Sequence, residues 1–474
     1  METLSTVDAG SSGLLVLVGS KPTAAPHLTN SGSPATTPPS LETLPVELQC
    51  LILCNAPDLA SLSALIHASP ELHRTYVEHR RRVLRHLITQ LLDGMRVDVL
   101  AAYHSGTEEF QNTRTEPLLR AFVEEQQAIH FTDPPTSPPA SDWTAELPLD
   151  ACISILRFHA SVIEPLTEAF ARWALDTLPS KAENEASKSA SLSETERCRI
   201  QRAFYRMQMF CNVCGSRECG RRAKLGLNTT DRRVRILNMF PAWEVEEILS
   251  IHDFAKDYYR ILFKQVARDL NEERNPKYRH IDKTSVHAQL NLVTELPGGY
   301  TRVHDRSQNT MLNHGLHLLA NISKIKSREQ LVEIVLTEIT SREDSLGAYD
   351  FETEGWLDEF LYMGMLQNRR RTVRPNLYDS AQDCRQKTPF HGDNPGCPPL
   401  AWILFWQGEY SNLFGVFIPD ELRRWGYIMW DAVRLDSDAR DAIERTWKYV
   451  VDHCGADPRV YDRSSRVVDS PTSP

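Results

Sequence analysis

Through most of this chain apolar residues recur at spacings of three and four, the period of one helix face, and clean alternation at a spacing of two is scarce. Leu118, Leu119, Phe122, Val123 and Ile129 follow the rule. So do Cys152, Ile153, Leu156, Ile163, Leu166, Phe170 and Trp173, which predict one long amphipathic helix over 149–178. Pro241 suits the first turn of another helix, where a missing N–H costs nothing, and Trp243, Ile248, Leu249, Phe254, Tyr258, Leu262 and Val266 continue it. Further helices are expected near 311–340, 354–367, 419–433 and 438–452. A chain patterned this way must bury helix stripes against one another, so the expected fold class is mostly α.

Polar, proline-rich stretches divide the pattern. Residues 1–40 are rich in Ser, Thr, Gly, Ala and Pro and bury too little apolar surface to offset their ordering entropy, so they read as a disordered tail. The same holds for 463–474, and flexible insertions are expected near 132–141 (Pro134, Pro135, Pro138, Pro139) and 179–193. These breaks leave a small unit over 41–92 and a helical region over 93–462. The 53 Lys+Arg against 63 Asp+Glu give a net charge of −10, which disfavours a general nucleic-acid partner, since phosphate contacts need a basic face. Ten Cys in 474 residues are too sparse for a disulfide framework. The longest early apolar run, Leu14–Val18, is far short of the about 20 residues that span a bilayer. The expectation is an intracellular protein, cytoplasmic and/or nuclear, with reduced thiols and no membrane partner.

From Leu41 to Leu92 the pattern tightens into short helices set off by proline signals. Pro45 opens a helix that places Leu48, Leu51 and Ile52 on one side, and Pro57 ends it, because the residue before a proline resists the α conformation. Asp58 suits the next N-cap, its carboxylate accepting a free backbone N–H, and that helix holds Leu59, Leu62, Leu65 and Ile66 on one stripe. Ser69-Pro70 repeats the start signal before a third helix with Leu72, Tyr76, Val83, Leu84, Leu87 and Leu91. Three short helices in this length form an orthogonal bundle too small to be very stable alone. Residues 44–92 hold five Arg against four acidic residues, so the chain's acidity lies elsewhere.

Here the residues Leu44-Pro45-x-Glu47-Leu48, then Ile52, the Pro57-Asp58-Leu59 turn, Leu62 and Leu65 resemble the F-box. Ala64-Leu65-Ile66-His67-Ala68-Ser69-Pro70 followed by Tyr76 is similar to the variant found in filamentous-fungal F-box-like proteins. The resemblance implies a three-helix F-box-like domain over 41–92, followed by a larger irregular α-helical domain. It implies that Leu44, Pro45, Leu48, Ile52, Leu59 and Leu62 face or support a Skp-type linker subunit of a cullin–RING ubiquitin ligase, while the helical region binds a client protein. The third helix departs from the motif, with His73-Arg74 and Tyr76 and no Trp before Trp143. Two later pieces, Pro241–Glu247 and Leu422–Asp431, also resemble segments of those proteins.

Other constellations have alternative readings. Cys211-x-x-Cys214 with Cys219 has thiolate spacing for part of a tetrahedral zinc site, or is a set of free thiols on a helix that also carries Phe204, Met207, Phe210 and Val213. His391-x-Asp393 with His453 matches the order of a facial-triad iron site but lacks a β-barrel pattern around it. The basic runs Arg80–Arg82, Arg369–Arg371 with Arg374, and 221–235 read as solvated helix faces. The aromatic concentration from Trp402 to Trp430 reads as core, or as a partner groove. Ser-Pro and Thr-Pro pairs at Ser33, Thr37, Ser137, Ser470 and Ser473 fit proline-directed phosphorylation. No phosphate-binding loop, zinc-protease, nucleophile-elbow or dinucleotide fingerprint occurs, so the expectation is a non-catalytic adaptor without a cofactor. The alternatives are a helical interaction protein without ligase assembly and a helical enzyme using the His391/Asp393 loop.

Overall fold

Helices form where the three-and-four pattern places them. The structure, a computed structural model, describes residues 41–113, 115–132, 142–179, 191–214, 236–237, 239–269, 311–312, 315–340, 384–455 and 457–459. The expected tails at 1–40 and 463–474, the helix at 354–367 and most of the two expected insertions lie outside the described residues. After a 3-10 turn at Leu41–Thr43 come α1 (Val46–Cys54), α2 (Leu59–Ala68), α3 (Pro70–Leu92), α4 (Arg96–Gly106), α5 (Glu108–Asn112) and α6 (Glu116–Thr132). Then follow α7 (Leu149–Phe158), α8 (Glu164–Asp176), α9 (Glu194–Cys214), α10 (Ala242–Asp269), α11 (Leu316–Lys324) and α12 (Arg328–Thr340). The last are α13 (Leu400–Phe405), α14 (Asp420–Arg424) and α15 (Ser437–Cys454). No strand occurs among the described residues, where Lys387 and Glu409 form an isolated bridge, so the protein is mostly α.

Three expected helices are broken: the run over 311–340 parts into α11 and α12 where Ile325 turns extended, and the other two break for local reasons. The run over 149–178 holds a π-helical stretch, His159–Ile163, between α7 and α8. Pro165 has no N–H for the carbonyl four residues back, and the ladder shifts so that Glu164 N–H reaches His159 O. The run over 419–433 stops after α14, because Gly426 takes a left-handed φ of +62°. A Cβ there would lie 3.1 Å from the Phe170 ring and 3.2 Å from the Ala174 methyl, so both conformation and space call for glycine.

The chain divides into two compact units. The first combines residues up to Val99 with Ser137–Glu164; the second combines Leu100–Thr136 with Pro165 onward. The small unit expected over 41–92 therefore does not close at Leu92. In it α3 packs on α1 and α2 through its first half and on α7 through its second. The reason is apolar surface: Val83, Leu84, Leu87, Ile88 and Leu92 need a cover, and Ala151, Cys152, Ile155 and Leu156 of α7 are buried with them. The returning chain is strapped down by two arginines one helical turn apart. Arg81 donates to Leu147 O at 2.9 Å and Ala145 O at 3.1 Å, while Arg85 reaches Thr144 Oγ1 and pairs with Asp142. Trp143 Nε1 donates to Asp93 Oδ1 at 3.0 Å.

In the second unit every residue from Arg199 to Val213 on α9 is buried, and α10 packs on α9, α12 and α14. Phe170, Trp173, Phe204 and Phe254 form one aromatic cluster on α8, α9 and α10. Phe405, Trp406 and Trp447 form another on α13 and α15.

Candidate functional site

The expected docking residues sit at the start of the first unit. Its first helix is apolar on both sides. Cys50, Leu53 and Cys54 face inward and are at most 3% exposed, whereas Leu41, Val46, Leu48 and Leu51 are 38–54% exposed and Pro45 is exposed beside them. Leu44, Ile52 and Leu59 are half-buried at the edge. Leu62 differs: it is 0% exposed, because the α2 stripe turns toward α3, so it supports the face from beneath and forms no part of it.

A polar residue absent from the motif holds this face in place. Gln49 is buried, and its Nε2 lies within bonding distance of Leu41 O (3.4 Å), Glu42 O (3.2 Å) and Leu44 O (3.2 Å). Thr75 on α3 donates to Gln49 Oε1 at 2.6 Å. One side chain thus ties the 3-10 turn to α1 and α3. Ser69 adds a second tie. Its hydroxyl donates to Glu42 Oε1 at 2.8 Å and accepts from Leu72 N at 3.3 Å as the α3 N-cap, and Asp58 caps α2 by accepting from Ser61 N at 2.6 Å. Beneath the face, burial and the neighbouring Cys50 push the Cys54 thiol up to about 11, leaving it protonated and unreactive at neutral pH.

The remaining constellations become structural or separate. Cys211 is buried and donates to Leu312 O at 3.3 Å; the Cys214 side chain and Cys219 lie outside the described residues. His391 is exposed, Asp393 accepts from Ala432 N at 3.0 and 3.1 Å, and His453 stacks on Tyr449 within α15. Among the described residues no group of three His, Cys, Asp or Glu is placed to hold a metal ion. The aromatic residues Trp402, Phe405, Trp406, Trp425, Tyr427 and Trp430 are at most 4% exposed and build core. Of the Arg80–Arg82 run, Arg81 makes the strap and Arg80 Nε donates to Tyr76 OH at 3.2 Å; the runs at 221–235 and 369–374 and the five Ser-Pro and Thr-Pro sites lie outside the described residues.

The largest polar assembly was not anticipated from the sequence. Arg199, Arg202 and Arg206 on α9 are at most 2% exposed. Arg202 grips Glu247 through two bonds of 2.8 and 2.5 Å, Arg206 pairs with Glu244 at 2.9 Å, and Arg199 pairs with Asp431 at 2.7 Å. Glu246 accepts from Arg423 at 2.9 Å and from Gly415 N at 2.6 Å, and Glu196 accepts from Arg434 at 2.8 and 2.7 Å. Burial opposes the charge of Arg202, and the Glu247 and Glu244 carboxylates more than offset it, so its ionisation moves up. The pieces 241–247 and 422–431 meet in this network. Its signal in the sequence was charge at helix spacing: Arg at 199, 202 and 206 facing Glu at 244 and 247. These groups pair with one another across α9, α10 and the segment 415–434, which suits them to fixing helix positions. Asp393, at the network's half-exposed edge, is raised chiefly by burial and further by Asp431 and Glu196, against the bond from Ala432 and the charge of Arg199.

Comparison with protein-family models, curated proteins and solved structures finds no match to this chain. No helix among the described residues is long and apolar enough to cross a membrane.

Proposed function

We propose that this protein is an adaptor. The exposed face of α1 docks a Skp-type linker subunit of a cullin–RING ubiquitin ligase, and the second unit binds a client. The observation that carries this reading is where the exposed apolar side chains lie. Four of the nine large ones among the described residues (Leu41, Val46, Leu48 and Leu51) fall within one eleven-residue stretch, the stretch whose residues resemble an F-box. These side chains are already about half-covered, so covering the rest of each contributes roughly half of the about 1.5–3 kcal/mol that full burial of a leucine or valine gives. Such an adaptor needs no reacting group of its own: holding a client beside a charged conjugating enzyme raises the effective concentration of its lysines.

Affinity purification with mass spectrometry tests this reading. The full chain retains the Skp-type subunit and the cullin. Leu48→Asp with Leu51→Asp removes both while the circular dichroism is unchanged, because those side chains make little of the core. Leu44→Ala with Pro45→Ala weakens retention in the same sense. Retention that survives the Leu48/Leu51 pair puts docking elsewhere; an unrelated partner lost in its place makes the protein an interaction module outside the ligase.

A further inference from the structure

Resting on the docking reading, we infer that the partner surface meeting this face is an apolar helix stripe flanked by lysine or arginine. From Leu41 to Ile66 the chain contains Glu42, Glu47 and Asp58 and no Lys or Arg. Glu42 and Glu47 are exposed and interleave with the exposed Leu41, Val46 and Leu48. Glu42 is fixed there as well as exposed, since one oxygen accepts from Ser69, itself held as the α3 cap. Asp58 is half-buried and spent on its cap. The positive charge of Arg82 acts on Cys54, at the opposite end of α1 from Glu47. The face therefore has an apolar centre with acid at its N-terminal end. A partner with acid there meets like charge at the edge of a drying interface, whereas a basic flank turns the same groups into steering contacts.

Glu47 also sits in the first turn of α1, where it complements the helix dipole, so binding and not stability is the readout. The probes are two synthetic 18-residue amphipathic helices with the same leucine stripe, one flanked by lysine and one by glutamate. Fluorescence anisotropy follows each on the full chain at low and moderate salt. The lysine-flanked peptide binds about tenfold tighter at low salt, and the gap narrows at moderate salt as the screening length falls below about 10 Å. Glu47→Lys reduces or reverses the preference, and Leu48→Asp with Leu51→Asp abolishes binding of both peptides. Equal binding of the two peptides, or a preference untouched by Glu47→Lys, overturns the basic flank. If the leucine pair still abolishes binding in that case, the docking face stands without it. If neither peptide binds, the basic flank is overturned, and the docking face is judged separately by retention of the Skp-type subunit.

Discussion

The two units invert each other's use of polarity. The first leaves leucine and valine on its surface and spends its arginines on a strap across α3. The second packs most of its large aromatics into core and, among the described residues, buries six arginines, Arg199, Arg202, Arg206, Arg423, Arg434 and Arg459. Exposed apolar area gains free energy only when something covers it, so it is informative about partners. Buried charge is stabilised only by its counter-charges, so it is informative about internal geometry. Exposed leucines thus distinguish the surface of the first unit, and pairing specifies the helix positions of the second.

Replacing one member of the buried network tests that contrast most severely. Glu247→Gln leaves Arg202 fully buried with its main counter-charge gone, and denaturant unfolding shows a loss of about 3–5 kcal/mol in the transition of the second unit. A loss below 1 kcal/mol would place the two units on the same footing. In the first unit the corresponding test is Gln49→Ala, which removes the tie between the 3-10 turn and α3 and strands the Thr75 hydroxyl. It costs about 1–3 kcal/mol, and hydrogen exchange at 41–48 rises more than at α3, with retention of the Skp-type subunit falling in parallel.

The smallest effect is a divergence with pH. The Thr144 hydroxyl and backbone, with Arg85, hold Asp142 below its ordinary 3.8 despite the opposing effect of burial. Its stabilisation is present above that value and is lost as pH falls through the lower folded value. Asp393 moves the other way, raised chiefly by burial, so its favourable contribution belongs to the protonated form and is lost as pH rises through the raised folded value. Acidification from pH 6 to pH 3 therefore costs stability through Asp142 and not through Asp393, whose Ala432 bond favours the carboxylate and is outweighed by burial. Denaturant unfolding of Asp142→Asn and Asp393→Asn at the two pH values checks it: the acid-induced loss shrinks in the first and grows in the second, and the same change in both refutes the opposed signs.

Helix existence was legible because apolar stripes at spacing three and four leave few other ways to bury surface. The Asp58 and Ser69 caps were legible because capping is local. That Leu48 turns outward was legible from the helix spacing, whereas the burial of Leu62 depends on how α2 crosses α3. Two things were not legible. Gln49 acts across the chain through Thr75, and a lone glutamine among leucines gives no sign of that bond. The partnership of 241–247 with 422–431 joins residues as far apart as Glu246 and Arg423, 177 positions, and only a fold brings them together. The break at Leu92 misled for a related reason: helix stripes show that a face needs covering but not which later segment covers it.

The discontinuous first unit has a consequence for how the protein is made. The apolar stripe of α3 ends at Leu92, and its cover begins at Leu149. At roughly 5–20 residues per second a ribosome takes about 3–11 seconds to cross that interval. During that time Val83, Leu84, Leu87 and Ile88 emerge with no α7 to meet them, which gives a holding chaperone a timed and specific target on the nascent chain.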